Sequence, residues 1–345
     1  MLDIFNNDAF SVVNLTDAAN DLAFVPGRIS RSGLFRADGI TTTTAVIETK
    51  GARLALVAPT PRGGPGETVN TDKDRRLIPV NVPHFERNDA VMADEVQGVR
   101  AFGSETEVET VMGKVAEKIQ DHSQDLAATT EFSQLGAIKG VITYADGSTL
   151  DLFQTMGVQA PANVAFNVPA LKAAKDDGAL RKWAAAMVRA QADELGGLPW
   201  SGKVRVFCGD NLFDDVLGSQ EVRETFKGWT EAQILREGYI EANGESYGAF
   251  EFADIIFENY RGQVGNDRFV DLNEGHSFPE GVPGLFRTYW APADYIETVN
   301  TKGQRLYAKQ YPMPNGKGVN LDVQMNELNI CLRPRVLRKI VRATA

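Results

Sequence analysis

His84, His122 and His276 are the only imidazoles in the 345-residue chain, and none has a second histidine at ligand spacing. The run D-L-N-E-G-H brings together Asp271, Glu274 and His276, residue types that can hold a metal or move protons in a hydrolysis. The competing reading of that run is a turn carrying a solvated histidine. Asp214 and Asp215 follow a strand-like run, where α/β enzymes place their sites. Adjacent carboxylates point in different directions, however, and the pair suits a helix N-terminus. Cys208 ends the apolar run V-R-V-F-C, where a buried, inert thiol outweighs a nucleophile. The dinucleotide, nucleophile-elbow and zinc-protease motifs are missing. The glycine-rich P-R-G-G-P-G lacks the Lys-Ser/Thr of a phosphate loop and reads as a turn. No catalytic constellation assembles, so the expectation is no catalytic, cofactor or metal residue. A soluble α/β enzyme using Asp271, Glu274 or His276 remains the alternative.

The elements that would position any site are more legible. Ser104 to about Leu126 reads as a long helix, with Ser104 and Glu107 at capping-box spacing. Val108, Val111, Val115, Ile119 and Leu126 form one apolar stripe, the candidate core of that helix. Its opposite face carries Glu109, Lys114, Glu117, Gln120, Asp121 and Gln124, read as solvated. A rod of about 33 Å with one apolar side needs something broad beneath it, such as a sheet. Residues 41–85 read as a long β-hairpin whose tip is P-T-P-R-G-G-P-G-E. A two-stranded ribbon is marginal alone, so it needs a partner in this chain or another copy. Residues 1–40 read as an arm, with Phe24, Ile29 and Phe35 arguing for burial somewhere. Helix over 180–195 and strands at 204–208 and 250–260 give a compact mixed unit at 161–285. Extended segments return over 286–340.

Composition narrows the classes. With 46 acidic and 36 basic residues the net charge is -10, which disfavours electrostatic gripping of nucleic acid. The basic tail of Arg333, Arg335, Arg338, Lys339 and Arg342 reads better as solvated or salt-bridged than as a DNA contact. No apolar run reaches the length of a membrane span, and the first residues lack the pattern of a signal peptide. Two cysteines, Cys208 and Cys331, make no disulfide framework.

Specific blocks then carry a resemblance. Y-W-A-P-A-D-Y-I-E-T-V-N-T-K-G (289–303), L-Y-A-K-Q and N-I-C-L-R-P-R-V-L (329–337) resemble the major capsid protein E family of lambda-like tailed phages. L-T-D-A-A-N, V-P-G-R-I, G-I-T-T-T-T-A-V-I-E and P-R-G-G-P-G resemble the same family's N-terminal pattern. The resemblance implies an α+β subunit of the Hong Kong 97-like capsid fold. Its parts would be an N-terminal arm (1–40), an extended hairpin loop (41–85), a peripheral domain (86–160 and 286–345) with spine helix 104–126, and an axial domain (161–285). It implies self-assembly into hexamers and pentamers of an icosahedral virion shell, formed in the host cytoplasm around double-stranded DNA without sequence-specific contact. Further implied partners are a decoration protein at threefold sites, and a scaffold and a portal during assembly; no membrane is involved. Candidate contacts between subunits are Glu48, Lys50, Arg53, Arg62, Glu67, Lys73, Arg75, Arg76, Phe24, Ile29 and Phe35. Some relatives cross-link Lys to Asn; here Lys50 and Lys73 lie on the ribbon, and no covalent link is expected. A non-viral encapsulating shell is a further alternative.

Overall fold

A computed structural model describes residues 27–50, 75–97, 111–167, 178–225, 239–242, 245–264 and 267–343. Its organising strand is Gly318–Cys331, fourteen residues long. Apolar residues alternate through its first part, so Val319, Leu321, Val323 and Met325 share one buried face. His84–Met92 and Tyr307–Pro312 pair antiparallel with that part. Phe286–Trp290 pairs antiparallel with the remainder, and Phe35–Gly39 joins Phe286–Trp290 in parallel, completing a five-stranded sheet.

The long helix Val111–Lys139 lies on this sheet. Val115, Ile119 and Leu126 pack with Val91, Leu306, Leu321, Val323 and Met325, and Val111 lies against the same cluster. Each fully buried aliphatic side chain contributes roughly 1.5–3 kcal/mol. Residues 104–110, including Ser104, Val108 and Glu109, lie outside the described residues. The helix continues to Lys139, well past the expected end at Leu126. Its last turns are buried nearly all round, with Thr130, Glu131, Ser133 and Gln134 inside as well as Leu135 and Ile138. That stretch has no one-sided apolar stripe, which is why periodicity stops short of it. Small residues let it approach closely: a Cβ on Gly136 would lie 2.8 Å from the Ile142 Cα. Gly140, at φ +85°, turns the chain out of the helix into the hairpin Val141–Thr143 and Thr149–Asp151.

A seven-stranded mixed sheet forms the second layer. Its order is Val164–Asn167, Arg338–Ala343, Glu274–Pro279, Val204–Cys208, Ile255–Asn259, Glu245–Phe252 and Tyr239–Ala242. Helices Ala179–Leu195 and Asp210–Leu217 cover one face through Leu180, Ala184, Met187, Leu212 and Val216. The other face, through Phe207, Tyr260 and Phe278, shares a core with Leu135 and Ile138 of the long helix and with Phe286, Leu328 and Ile330 of the first sheet. The C-terminal strand Arg338–Ala343 therefore pairs here, away from the strands at 286–331 that precede it in sequence. The reason is the turn at Pro334–Val336, which redirects the chain after Cys331.

The hairpin expected over 41–85 is a ribbon of Thr44–Lys50 and Arg75–Asn81 in antiparallel register. Residues 51–74, including the proline- and glycine-rich tip, lie outside the described residues.

Candidate functional site

The residues singled out for chemistry take part in the packing and ion pairs of the fold. His276 lies on a central strand, 3% exposed and not solvated as the turn reading holds. Its Nε2 is 3.7 Å from Glu274 Oε2, and Glu274 Oε1 is 2.5 Å from Lys339 Nζ. The nearby His276 imidazole, aided by Lys339 and opposed by partial burial, holds the Glu274 carboxyl down at about 2. Burial pushes the His276 imidazole below its ordinary value, with Lys139 and Lys339 acting in the same direction and Glu274 against it. Asp271 turns away and accepts the Asn273 backbone N–H at 2.9 Å. Among the described residues no group of three or more His, Cys, Asp and Glu side chains is arranged to hold a metal ion.

A stability consequence follows from His276. The unfolded chain binds a proton near pH 6.5 that the folded chain refuses until lower pH. The neutral imidazole's contribution is therefore present above about pH 6.5 and is lost as pH falls below it. Urea midpoints measured for subunits between pH 7 and pH 5 should fall in the wild type, and less steeply in His276→Gln. Equal slopes would assign the acid sensitivity to other groups.

The remaining candidates follow the same pattern. Asp214 and Asp215 sit inside helix Asp210–Leu217, past its first turn, and Asp215 pairs with Arg342. Cys208 and Cys331 are buried free thiols; burial pushes Cys331 up to about 12 and Cys208 further in the same direction. Both are therefore poor nucleophiles at neutral pH. The basic tail is internally occupied. Arg333 Nη1 donates to the Leu195 carbonyl at 3.1 Å, closing the C-terminus of helix Ala179–Leu195. Arg335 pairs with Glu194 at 2.8 Å, and Arg338 Nη2 donates to the Ala190 carbonyl at 3.2 Å.

A dense polar cluster surrounds a segment that the sequence presents as arm. Helix Arg28–Arg31 is a single turn, and Arg28 grips Glu258 with Nε to Oε1 at 2.6 Å and Nη2 to Oε2 at 3.0 Å. Glu258 has no exposed side-chain surface and also takes Arg205 Nη1 at 2.5 Å. Arg205 continues the network to Glu280. Beside it, Glu131 of the long helix accepts the backbone N–H groups of Ile29 at 2.8 Å and Ser30 at 3.1 Å, and the Tyr260 hydroxyl at 2.9 Å. Glu131 thus caps the short helix from another element, satisfying N–H groups that its own turns leave open. A Cβ at position 27 would collide with the Glu131 carboxylate, so a larger residue there would have to displace the cap. The anchor joins the exit of the N-terminal segment to both layers. A charged residue inside the apolar strand I-I-F-E-N is the one available sequence signal for it.

The candidate contacts between subunits divide accordingly. Ile29 is fully buried in this chain's own core. Phe35 is half-buried and packs on Phe286, with ring centroids 5.1 Å apart. Phe24, Arg53, Arg62, Glu67 and Lys73 lie outside the described residues; Lys50 and Arg75 are placed in the ribbon by backbone alone. Glu48 and Arg76 are exposed on it. The ribbon's inner face, Ala45, Ile47 and Val80 with Ile78, packs on the subunit core. Its outer face presents Val46, Leu77 and Pro79, with Val46 60% and Leu77 63% exposed.

One flank of the long helix is tied to neighbouring elements by ion pairs. Lys118 reaches Asp89 at 3.2 Å and Glu95 at 3.4 Å, His122 stands 3.3 Å from Asp89, and Asp125 pairs with Arg87 at 3.2 Å. These positions fall along one side of the helix and clip it to His84–Met92. Glu117, Gln120 and Asp121 do face outward.

This architecture matches known proteins along its length. A profile of the family described as phage major capsid protein E matches residues 11–342. The major capsid protein of Pseudomonas phage KPP10 is 27% identical over 345 aligned positions, covering 94% of this chain and 95% of that one. The major capsid protein of Salmonella phage Felix O1 is 22% identical over 372 positions, covering 98% and 97%. Among solved structures, a protein assigned to the capsid of an E. coli CFT073 prophage superposes with a TM-score of 0.53 at 10% identity, covering 96% of this chain and 99% of that one. The mature capsid of bacteriophage PhiM1 gives 0.50 at 12% identity, covering 90% and 85%. The fold is the α+β capsid fold of the Hong Kong 97-like type, and the chain belongs to the phage major capsid protein E family.

Proposed function

We propose that this chain is the subunit of an icosahedral phage shell, assembling with copies of itself as hexamers and pentamers around the packaged genome. The family match over residues 11–342 carries the reading. The exposed apolar outer face of the ribbon supports it, since a two-sided ribbon with one face already packed has the other left for a neighbour. In this reading residues 1–40 are the arm, 41–85 the extended loop, 86–160 with 286–345 the peripheral domain and 161–285 the axial domain. The pairing of Arg338–Ala343 with the second sheet favours moving that strand to the axial side. Double-stranded DNA is enclosed without sequence-specific contact, in keeping with a net charge of -10 and a basic tail paired within the subunit. Assembly takes place in the host cytoplasm with a scaffold and a portal, and a decoration protein binds the finished virion shell at threefold sites.

Sedimentation of the expressed chain tests this reading. Shell-sized particles that dissolve in detergent to a single 37.7 kDa band are expected. A monomer at every concentration would refute the shell, and a ladder of covalent multimers would refute the absence of cross-links. Gly113 is the proposed hinge of the spine helix during shell expansion. Gly113→Ala stiffens a helix by about 1 kcal/mol and is expected to slow expansion of assembled particles, followed by light scattering. Expansion at the wild-type rate would remove the hinge.

A further inference from the structure

The block Y-W-A-P-A-D-Y-I-E-T-V-N-T-K-G does more than link two strands. It carries the turn Ile296–Thr298, where Ile296 is 90% and Val299 62% exposed. Val299 caps that turn, so two exposed branched side chains lie three residues apart on one tight turn, an aliphatic knob. The knob is braced from below. Thr298 Oγ1 donates to the Ala293 and Tyr295 carbonyls at 2.7 and 2.9 Å, and Thr301 Oγ1 donates to the Thr298 carbonyl at 2.7 Å. Lys309 holds Glu297 at 2.9 Å and lies 4.9 Å over the Tyr295 ring, while Tyr295 packs with Ala293 and Tyr307. A scattered exposed aliphatic residue needs no explanation. A nine-tenths exposed isoleucine on a turn already rigid in the free subunit is different, because little conformational freedom remains to be lost on contact.

We propose that the Ile296–Val299 knob of one copy seats on the outer ribbon face, Val46, Leu77 and Pro79, of a neighbouring copy. The inference builds on the shell reading and names a contact within it. The occupant is a second copy for three reasons. The chain belongs to a capsid family, so its most abundant neighbour is itself. Among the described residues, Val46 and Leu77 share one ribbon face and Ile296 and Val299 one turn, whereas the other exposed large apolar side chains, Met112, Leu217, Val264 and Tyr311, lie singly on separate elements. Two aliphatic side chains fall far short of the roughly 1,200 Å² that a stable pairwise interface buries. The contact therefore suits a heterologous arrangement repeated around a closed shell, in which each copy gives a knob and receives one. Glu297 brings no isolated charge to it, being held by Lys309.

Two variants test the contact. Ile296→Ser with Val299→Ser should leave subunit melting within about 2 °C of wild type, as surface changes do, while most of the sedimenting shell fraction is lost. In the second, Ile296→Cys and Leu77→Cys are combined in one chain, with Cys208 and Cys331 silent because they are buried. Oxidation of assembled particles should yield covalent multimers from the pair and not from either single cysteine. Shell assembly at wild-type yield by the double-serine variant would overturn the proposal. So would cross-linking by Ile296→Cys alone to the same extent as the pair, which would mean that knob meets knob. A wild-type chain that forms no shells would overturn the shell reading itself, a result separable from either of these.

Discussion

Glu258→Ala should destabilise the folded subunit by about 3–5 kcal/mol, the cost of leaving buried charge without its counter-ion. The carboxylate is completely shielded from solvent and serves two guanidiniums, Arg28 and Arg205. Its removal sets both against each other in a low-dielectric interior, with Glu280 left to balance Arg205 alone. Arg28→Ala should cost less, because Arg205 still neutralises Glu258. The order of the two losses is thus part of the prediction. Urea unfolding at subunit concentrations below assembly would measure both as midpoint shifts at unchanged slope. A Glu258→Ala loss below about 1 kcal/mol would place this network with exposed ion pairs.

The second large effect concerns Glu131. Alanine there leaves the Ile29 and Ser30 amides and the Tyr260 hydroxyl without their acceptor. At roughly 1–3 kcal/mol for each buried donor left unsatisfied, the Ile29 amide and the Tyr260 hydroxyl alone imply a loss of about 2–6 kcal/mol, the part-buried Ser30 amide adding less. Tyr260→Phe, which removes one donor together with its need, should cost about 1 kcal/mol. Glu131 and Glu258 hold adjoining residues of one short helix, so their losses should not add. Once either has released Arg28–Ser30, the other has less to hold, and a double-mutant cycle should show a coupling of about 0.5–3 kcal/mol. Strict additivity would mean that the two carboxylates stabilise separate parts of the structure.

Local pattern reveals those elements whose burial is one-sided. The stripe of Val111, Val115, Ile119 and Leu126 predicts a helix on a sheet because only one face needs cover. The β-branched run T-T-T-T-A-V-I-E predicts a ribbon strand because alternate residues face opposite ways. Pattern fails where burial is complete. The end of the long helix hides Thr130, Glu131, Ser133 and Gln134, polar residues that ordinarily mark a surface. The tight turn at Ala253 and Asp254 joins two strands where the sequence predicts one across 250–260. Both residues have positive φ, without the Asn-Gly pair that announces such a turn. The Arg28–Glu258 anchor is invisible for a third reason. Its partners are 230 positions apart, and no local period encodes a contact at that range. The surroundings of Glu274 and His276 are hidden in the sequence for a related reason: Lys139 and Lys339, distant in the chain, lie near the imidazole in space, and Lys339 pairs with the carboxylate.

The central claim is that this chain closes into a shell with copies of itself. Electron cryo-microscopy of the purified, expressed chain tests it most directly. The account predicts closed icosahedral particles in which each subunit's ribbon lies against a neighbour and Ile296 is covered. Dispersed 37.7 kDa monomers, or open aggregates without symmetry, would contradict it.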